Sequence, residues 1–211
     1  MKNKLEYKKL YKKTLYKTPI RNITIIWSKT DSFKIEEIIL SNPQLDSDEI
    51  ANKKYENLEI LNSKKEPKKL KNILKELQNF FNEEEYHFST SYLNLDRLTD
   101  FQKEVLLTEF NTKKGTVNTY GELAKKVNRP KAYRAVGTAL ANNPFPIIIP
   151  CHRTIKANNT IGGFGGVGQG LESKKILLEL EGIEIEGKKV ISESPIISLD
   201  KSKQDKITNY Q

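Results

Sequence analysis

Cys151 is the only cysteine in the 211 residues, and His152 and Arg153 follow it directly at the end of the segment NPFPIIIPCHR. One thiol cannot close an internal disulfide, and with only two histidines in the chain it cannot build a sulfur-rich zinc site. It is therefore either a buried spectator, the usual state of a free cysteine, or a nucleophile. Ile147, Ile148 and Ile149 read as a short buried segment that Pro150 interrupts. Cys151 is thus expected where a rigid core element ends, with its thiol accessible. An adjacent base and a fixed cation would both favour thiolate over thiol.

The remaining chain must position this segment. At 24.3 kDa and 36% hydrophobic residues it can bury at least one core, and its length permits two small domains. No apolar run of about 18 residues is present, which argues against a membrane span. The lysine-rich start lacks the apolar stretch of a secretory signal. A cytoplasmic location is expected, or a nuclear one if the source has a nucleus. Thirty-six basic against 27 acidic residues give a net charge of +9, which suits a polyanionic partner and equally a lysine-rich solvated surface.

Residues 1–18 read as a basic leader, a mobile arm or frayed helix. Residues 19–95 read as an α/β domain. Ile23–Trp27 is a strand candidate, Phe33–Leu40 a strand or short helix, and 42–63 polar and irregular. Pro67 opens a helix with Leu70, Ile73, Leu74, Leu77, Phe80 and Phe81 on one face. His87 stands apart from any thiol or acid and reads as a surface or interface residue.

Residues 96–186 form a second, mostly helical unit. Thr99 to Gln102 fits a capping box before a helix that Gly115 ends, and Thr119 to Glu122 fits another. Asn128-Arg129-Pro130 reads as a turn with proline at the first position of the helix KAYRAVGTALAN. Two short helices at a tight turn suit a helix-turn-helix, or any helical hairpin. The second helix is small-residued at Ala132, Ala135, Gly137, Thr138, Ala139 and Ala141, with Arg134 its one long cation. A helix lying in a groove and pushing one side chain into a base stack has this composition. So does a tightly packed core helix, in which Arg134 would need a buried anion.

Asn158-Asn159 suggests the turn of a wing-like hairpin. Gly163 to Gly168 spells a dinucleotide fingerprint, but polar residues precede it and too little chain follows Glu186 for a doubly wound sheet. Its glycines suit a lip that brings backbone N–H groups to a ligand. Leu171–Glu181 reads as the last helix, stopped by Gly182, and residues 187–211 as a polar tail.

From about Leu98 to Ile183 the order GTVNTYGELAKKVNRPKAYRAVGTALANNPFPIIIPCHR, then IGGFGG and KKILLELEG, resembles the C-terminal domain of the O6-alkylguanine-DNA alkyltransferases. The resemblance implies a ribonuclease-H-like N-terminal domain and a winged-helix-like C-terminal domain that binds DNA. It implies repair by direct reversal: an alkyl group moves from guanine O6, and less well from thymine O4, onto the protein's own cysteine, once per chain. Cys151 would be the acceptor, His152 the base acting through a water, and Glu181 the acid orienting His152. Asn143 would brace the turn, Tyr120 would donate to the departing base, and Arg134 would fill the gap left by the flipped nucleotide. Ala132, Ala135 and Gly137 would lie against DNA. Leu140, Ile161, Gly162, Gly163, Phe164 and Gly165 would line the base pocket, with Arg153 in structural pairing.

Thr154, where an apolar residue is usual in the family, and Phe164, where tyrosine is common, bear on pocket shape. The implied partner is double-stranded DNA containing O6-alkylguanine, bound by a monomer with no cofactor, no metal and no membrane. A non-catalytic sensor of alkylated DNA on the same helix-turn-helix is the competing function. Relatives of that kind replace the cysteine, which Cys151 argues against.

Overall fold

The computed structural model describes residues 9–29, 32–56, 60–62, 66–164 and 170–191. Residues 1–8 of the expected leader lie outside these, and its remainder is a strand, β1 (Leu10–Thr18), where an arm or frayed helix was expected. Its lysines hide that role, because their partners are distant: Lys12 donates to Asp48 (3.0 Å) and Asn52 (2.7 Å), while the Tyr11 ring stacks on Trp27 at 4.4 Å. β1 pairs antiparallel with β2 (Arg21–Lys29), which pairs antiparallel with β3 (Phe33–Leu40), a strand throughout.

The interval 42–63, expected to be irregular, contains a helix, α1 (Ser47–Lys54), and a short strand, β4 (Ile60–Asn62). Asp46 and Glu49 close a capping box on α1, so the helix starts on a local signal despite burying only Ser47 and Ala51. β4 joins β1 in parallel, giving the order β3-β2-β1-β4. Ile26 of β2 packs with Leu10, Ile39 and Ala51 under α1. Ile23, Ile25 and Trp27 belong with α2 (Lys68–Phe81), which buries Leu70, Ile73, Leu74, Leu77 and Phe80 as its spacing predicts.

The helical part comprises α3 (Asp100–Phe110), α4 (Tyr120–Lys126), α5 (Tyr133–Ala141) and α6 (Leu171–Leu180). Thr99 caps α3 by accepting from Gln102 N, but the Gln102 side chain turns instead to the Asn142 carbonyl at 3.0 Å. α3 stops at Phe110, ahead of Gly115, whose φ of +74° serves the following turn. The Thr119–Glu122 capping box is complete. α5 starts at Tyr133 with Ala132 as its N-cap, so Pro130 belongs to the turn and is not the helix's first residue.

β5 (Asn118–Thr119) and β6 (Thr154–Ile155) pair in parallel. The turn at Asn158-Asn159 is present, with Lys156 N donating to Thr160 O at 2.9 Å. Residues 187–191, expected to start a polar tail, are part of the fold: β7 (Ile185–Glu186) and β8 (Lys189–Val190) form a hairpin through Gly187, and Lys188 O accepts from Ile161 N, while 192–211 lie outside the described residues. One hydrophobic core runs from the sheet through α2 and α3 to Phe145 and Ile147–Ile149. Among the described residues no helix is long and apolar enough to cross a membrane.

Candidate active site

The site is built on the loop between α5 and β6. Ile38 N, in the edge strand β3, donates to Pro144 O at 2.8 Å, so the sheet holds the loop from one side. Asn143 holds it from within: its carbonyl oxygen accepts from Phe145 N (2.9 Å), and its amide donates to Ile149 O (2.9 Å) and to Cys151 Sγ (3.2 Å). Ile147 has a φ of +73°, a costly conformation for a β-branched residue that persists where surrounding packing over-determines it. Cys151–Arg153 then make one turn of 3-10 helix, with Arg153 N bonded to Pro150 O.

The thiol is not the accessible, acidified group its neighbours suggested. Cys151 is 8% exposed, and burial pushes its pKa up to about 11, against the hydrogen bond from Asn143. Neither neighbour offsets this, because both turn to Glu181, the C-cap of α6. His152 Nε2 lies 2.8 Å from Glu181 Oε1. Arg153 forks onto the same carboxylate, Nε to Oε2 and Nη2 to Oε1, each 2.8 Å, and also donates to Tyr86 Oη (3.1 Å) and to the Thr112 carbonyl. Burial opposes ionisation of Glu181, but His152 and Arg153 hold its pKa at about 2.

Burial also lowers the pKa of His152 despite the adjacent carboxylate. A neutral imidazole facing an ionised acceptor must carry its proton on Nε2. That leaves Nδ1 with its lone pair, fully buried and without a hydrogen-bond partner among the described residues. The ring is gripped edgewise by Phe80 and Phe164, each 6.4 Å away between centroids.

A cleft of about 120 Å3 opens onto Cys151 between Tyr120, Gly137, Leu140, Ala141, Gly163 and Phe164. The Tyr120 ring packs on Gly137, where a Cβ would sit 3.7 Å from it. The phenol stays protonated at neutral pH, its pKa raised by burial and then by Cys151 and Glu109. Gly162, at φ +63°, borders the Tyr120 hydroxyl. Gly170 passes so close to Phe164 that a Cβ would come within 2.4 Å of its carbonyl oxygen. A second cleft, of about 480 Å3, runs from Cys151 along the seam with β3, past Asn143, Gln102 and Arg97.

Cys151, His152, Glu181, Asn143, Tyr120, Leu140, Gly163 and Phe164 thus converge. Ile161 does not: it is buried in a separate small core with Val117, Ile155, Leu178 and Ile183. Gly165 lies outside the described residues. On α5 Ala132 is half-buried, Ala135 exposed, and Arg134 exposed beside Tyr133 with no ion pair among the described residues. The buried-anion reading of Arg134 therefore fails. Sequence reasoning missed Tyr86, which anchors Arg153, and two buried charges, Glu109 and Lys174. Glu109 follows Val105 by four residues on the inner face of α3, a periodicity that could have exposed it.

Residues 100–183 match the family model for the 6-O-methylguanine DNA methyltransferase DNA-binding domain. A Haemophilus influenzae methylated-DNA–protein-cysteine methyltransferase is 45% identical over 106 residues, 50% of this chain and 57% of that protein. The Methanosarcina mazei protein of the same name is 41% identical over 122 residues, 54% of this chain and 75% of its own. In three dimensions the chain is similar to Mycobacterium tuberculosis OGT solved in complex with DNA, with a TM-score of 0.62 and 27% identity over 81% of this chain and 92% of that one.

Proposed function

The chain belongs to the methylated-DNA–protein-cysteine methyltransferase family, and we propose that it repairs alkylated DNA by taking the alkyl group onto Cys151, once per molecule. The substrate is O6-alkylguanine in duplex DNA, with O4-alkylthymine a poorer one. The observation that carries this reading is the placement of Cys151 Sγ on a cleft beside the protonated Tyr120 phenol, ahead of a His152–Glu181 pair whose Nδ1 is unpartnered.

Displacement at an sp3 carbon needs a thiolate on one side and a proton for the leaving base on the other. A thiol with a pKa of about 11 is almost wholly protonated at rest, so deprotonation must accompany attack. His152 Nδ1 receives the thiol proton through a bridging water, and Glu181 steadies the imidazolium. The S–C bond forms as the C–O bond breaks, and Tyr120 gives its hydrogen bond and then a proton to the guanine as negative charge develops. The resulting thioether does not hydrolyse, so the protein reacts once.

The target atom lies inside a duplex, so the nucleotide must be flipped at a cost of a few kcal/mol. α4 and α5 serve as the helix-turn-helix of a winged-helix-like domain spanning 96–186, Ala132, Ala135 and Gly137 let α5 approach the DNA, and Arg134 enters the vacated stack. The preceding α/β part is the ribonuclease-H-like domain, extended by β1 to begin at Leu10. Gly162, Gly163 and Phe164 complete the pocket for the flipped base. Duplex DNA carrying radiolabelled O6-methylguanine tests the proposal: at most one label per chain, on Cys151, and none on Cys151→Ala. Repeated turnovers, or tight lesion binding without transfer, would overturn it.

A further inference from the structure

Behind the reacting loop, two fully buried charges meet at one residue. Thr154, the first residue of β6, is 0% exposed; its hydroxyl donates to Glu109 Oε1 at 2.8 Å, and its carbonyl accepts from Lys174 Nζ at 2.5 Å. Glu109 and Lys174 are also 0% exposed, on α3 and α6 respectively. Thr112 Oγ1 lies 3.4 Å from the other Glu109 oxygen, accepts from Asn118 (2.7 Å), and Asn118 accepts from Lys126 (2.5 Å). The described residues give Glu109 and Lys174 no direct ion pair with each other; Thr154 stands between them.

Such an arrangement is a poor source of stability. A buried charge costs free energy unless closely paired, and apolar residues of similar volume commonly do as well or better. Among the described residues neither side chain hydrogen-bonds to the His152–Glu181–Arg153 cluster, although Arg153 and Lys174 act across the gap by charge. What they share is Thr154, three residues after Cys151 and directly continuous with the turn that carries the thiol.

We propose that Glu109 is a positioning residue for the transfer reaction: through Thr154 it holds the end of the Cys151 turn, and by its charge it opposes formation of the thiolate that Lys174 favours. This rests on the reading of Cys151 as the alkyl acceptor. The charged and titratable groups facing Glu109 are Thr154's neighbours Cys151 and Arg153 on the 3-10 turn, Lys174 on α6, and Tyr120 and Lys126 on α4. Burial dominates its environment and raises its pKa to about 7, with Thr154, Arg153, Lys174 and Lys126 opposing. Glu109 thus changes charge near neutrality, and each ionisation pushes the Cys151 thiol further up. Below that point the thiol is opposed by nothing but burial and faces an uncompensated ammonium; above it, the carboxylate acts as a brake.

The consequence is a signature in the pH dependence. A lone thiol gives a logarithmic rate that climbs steadily with pH, whereas a thiol coupled to Glu109 gives a climb interrupted by a shoulder where the carboxyl ionises. Replacing Glu109 by Gln keeps an acceptor for Thr154 Oγ1 and removes the charge.

The test measures the rate of Cys151 alkylation by free O6-benzylguanine and by iodoacetamide from about pH 5.5 to about pH 9, a range bracketing a carboxyl near 7. The wild-type protein, Glu109→Gln and Glu109→Leu are compared. The shoulder near pH 7 should be present in the wild type and absent from both variants, while Lys174, whose pKa burial lowers to about 8, bends all three profiles at higher pH. Glu109→Gln should match the wild type at the acid end and react roughly fivefold to tenfold faster at the alkaline end, the order expected of one charge several ångströms away, whereas Glu109→Leu, which also releases Thr154 Oγ1, should react more slowly than Glu109→Gln at every pH. Glu109→Leu keeps the test open should Glu109→Gln fold poorly, because an apolar side chain suits a buried site. Superimposable profiles in all three proteins would overturn the role of Glu109. No methyl transfer to wild-type Cys151 from duplex DNA containing O6-methylguanine, alongside normal iodoacetamide labelling, would instead overturn the alkyl-transfer reading.

Discussion

Asn143 Nδ2 stands 3.2 Å from Cys151 Sγ while the same amide donates to the Ile149 carbonyl at 2.9 Å. One side chain therefore ties the thiol to the backbone that delivers it, and its oxygen ties that backbone to Phe145 N. Asn143→Ala removes all three bonds and leaves the buried Phe145 N unpaired, while Ile149 O keeps its bond from Cys151 N. The expected cost is about 1–3 kcal/mol in denaturant unfolding. Alkylation by O6-benzylguanine should slow even in the folded protein, since the Asn143 hydrogen bond is the first influence opposing burial at the thiol.

Glu181→Gln tests the cluster behind the thiol. The substitution keeps acceptor geometry for one partner but leaves Arg153 buried against an uncharged group, so stability should fall by about 3 kcal/mol. An imidazole facing an amide no longer has its tautomer fixed or its charged form supported. Transfer from duplex DNA should drop by about a hundredfold. Stopped-flow transfer assays and urea unfolding check the two effects separately.

The two buried carboxyls pull stability in opposite directions with pH. Glu181, held down at about 2 in the folded state against an ordinary 4.5, contributes stability that is full above 4.5 and lost as pH falls toward 2. Glu109, raised to about 7 from the same ordinary value, is most compatible with folding below 4.5 and loses stability as pH rises to 7. Each amounts to about 3 kcal/mol at full effect. Urea unfolding at pH values on either side of this window should show Glu109→Gln gaining on the wild type as pH rises, and Glu181→Gln losing on it. A constant difference at all pH values would contradict both assignments.

Arg134 is the exposed cation on the small-residue helix and is not among the residues lining the cleft onto Cys151. Arg134→Ala should slow transfer from duplex DNA by roughly tenfold or more, as the cost of base flipping is no longer offset. Its reaction with free O6-benzylguanine should be unchanged. Equal slowing of both substrates would remove Arg134 from the flipping step.

How much of this was legible depended on how local the cause was. α2 could be read because its partners lie on one stripe of its own surface, Leu70 to Phe80. β1 could not, because Lys12 finds Asp48 and Asn52 some forty residues away and Tyr11 finds Trp27 across the sheet. α1 carried a readable Asp46–Glu49 cap but too few apolar residues to show a face. At the site, Cys151 and His152 are adjacent in sequence, whereas Glu181 could be joined to them only through the family resemblance. The error over the thiol has a simple physical origin: proximity in sequence suggested activation by His152 and Arg153, and the fold turns both toward Glu181 while burial decides the sulfur. Glu109 and Lys174 escaped because charged residues in helices usually face water.

The central claim is that one sulfur is the permanent destination of an alkyl group taken from DNA. The most direct measurement is the mass of the Cys151 peptide after the protein meets a molar excess of duplex DNA containing O6-methylguanine. The expected result is a gain of one methyl group on Cys151 in every active molecule, with one guanine restored per chain and no further repair. Restored guanine beside an unmodified Cys151, or a methyl group on any other residue, would contradict the account.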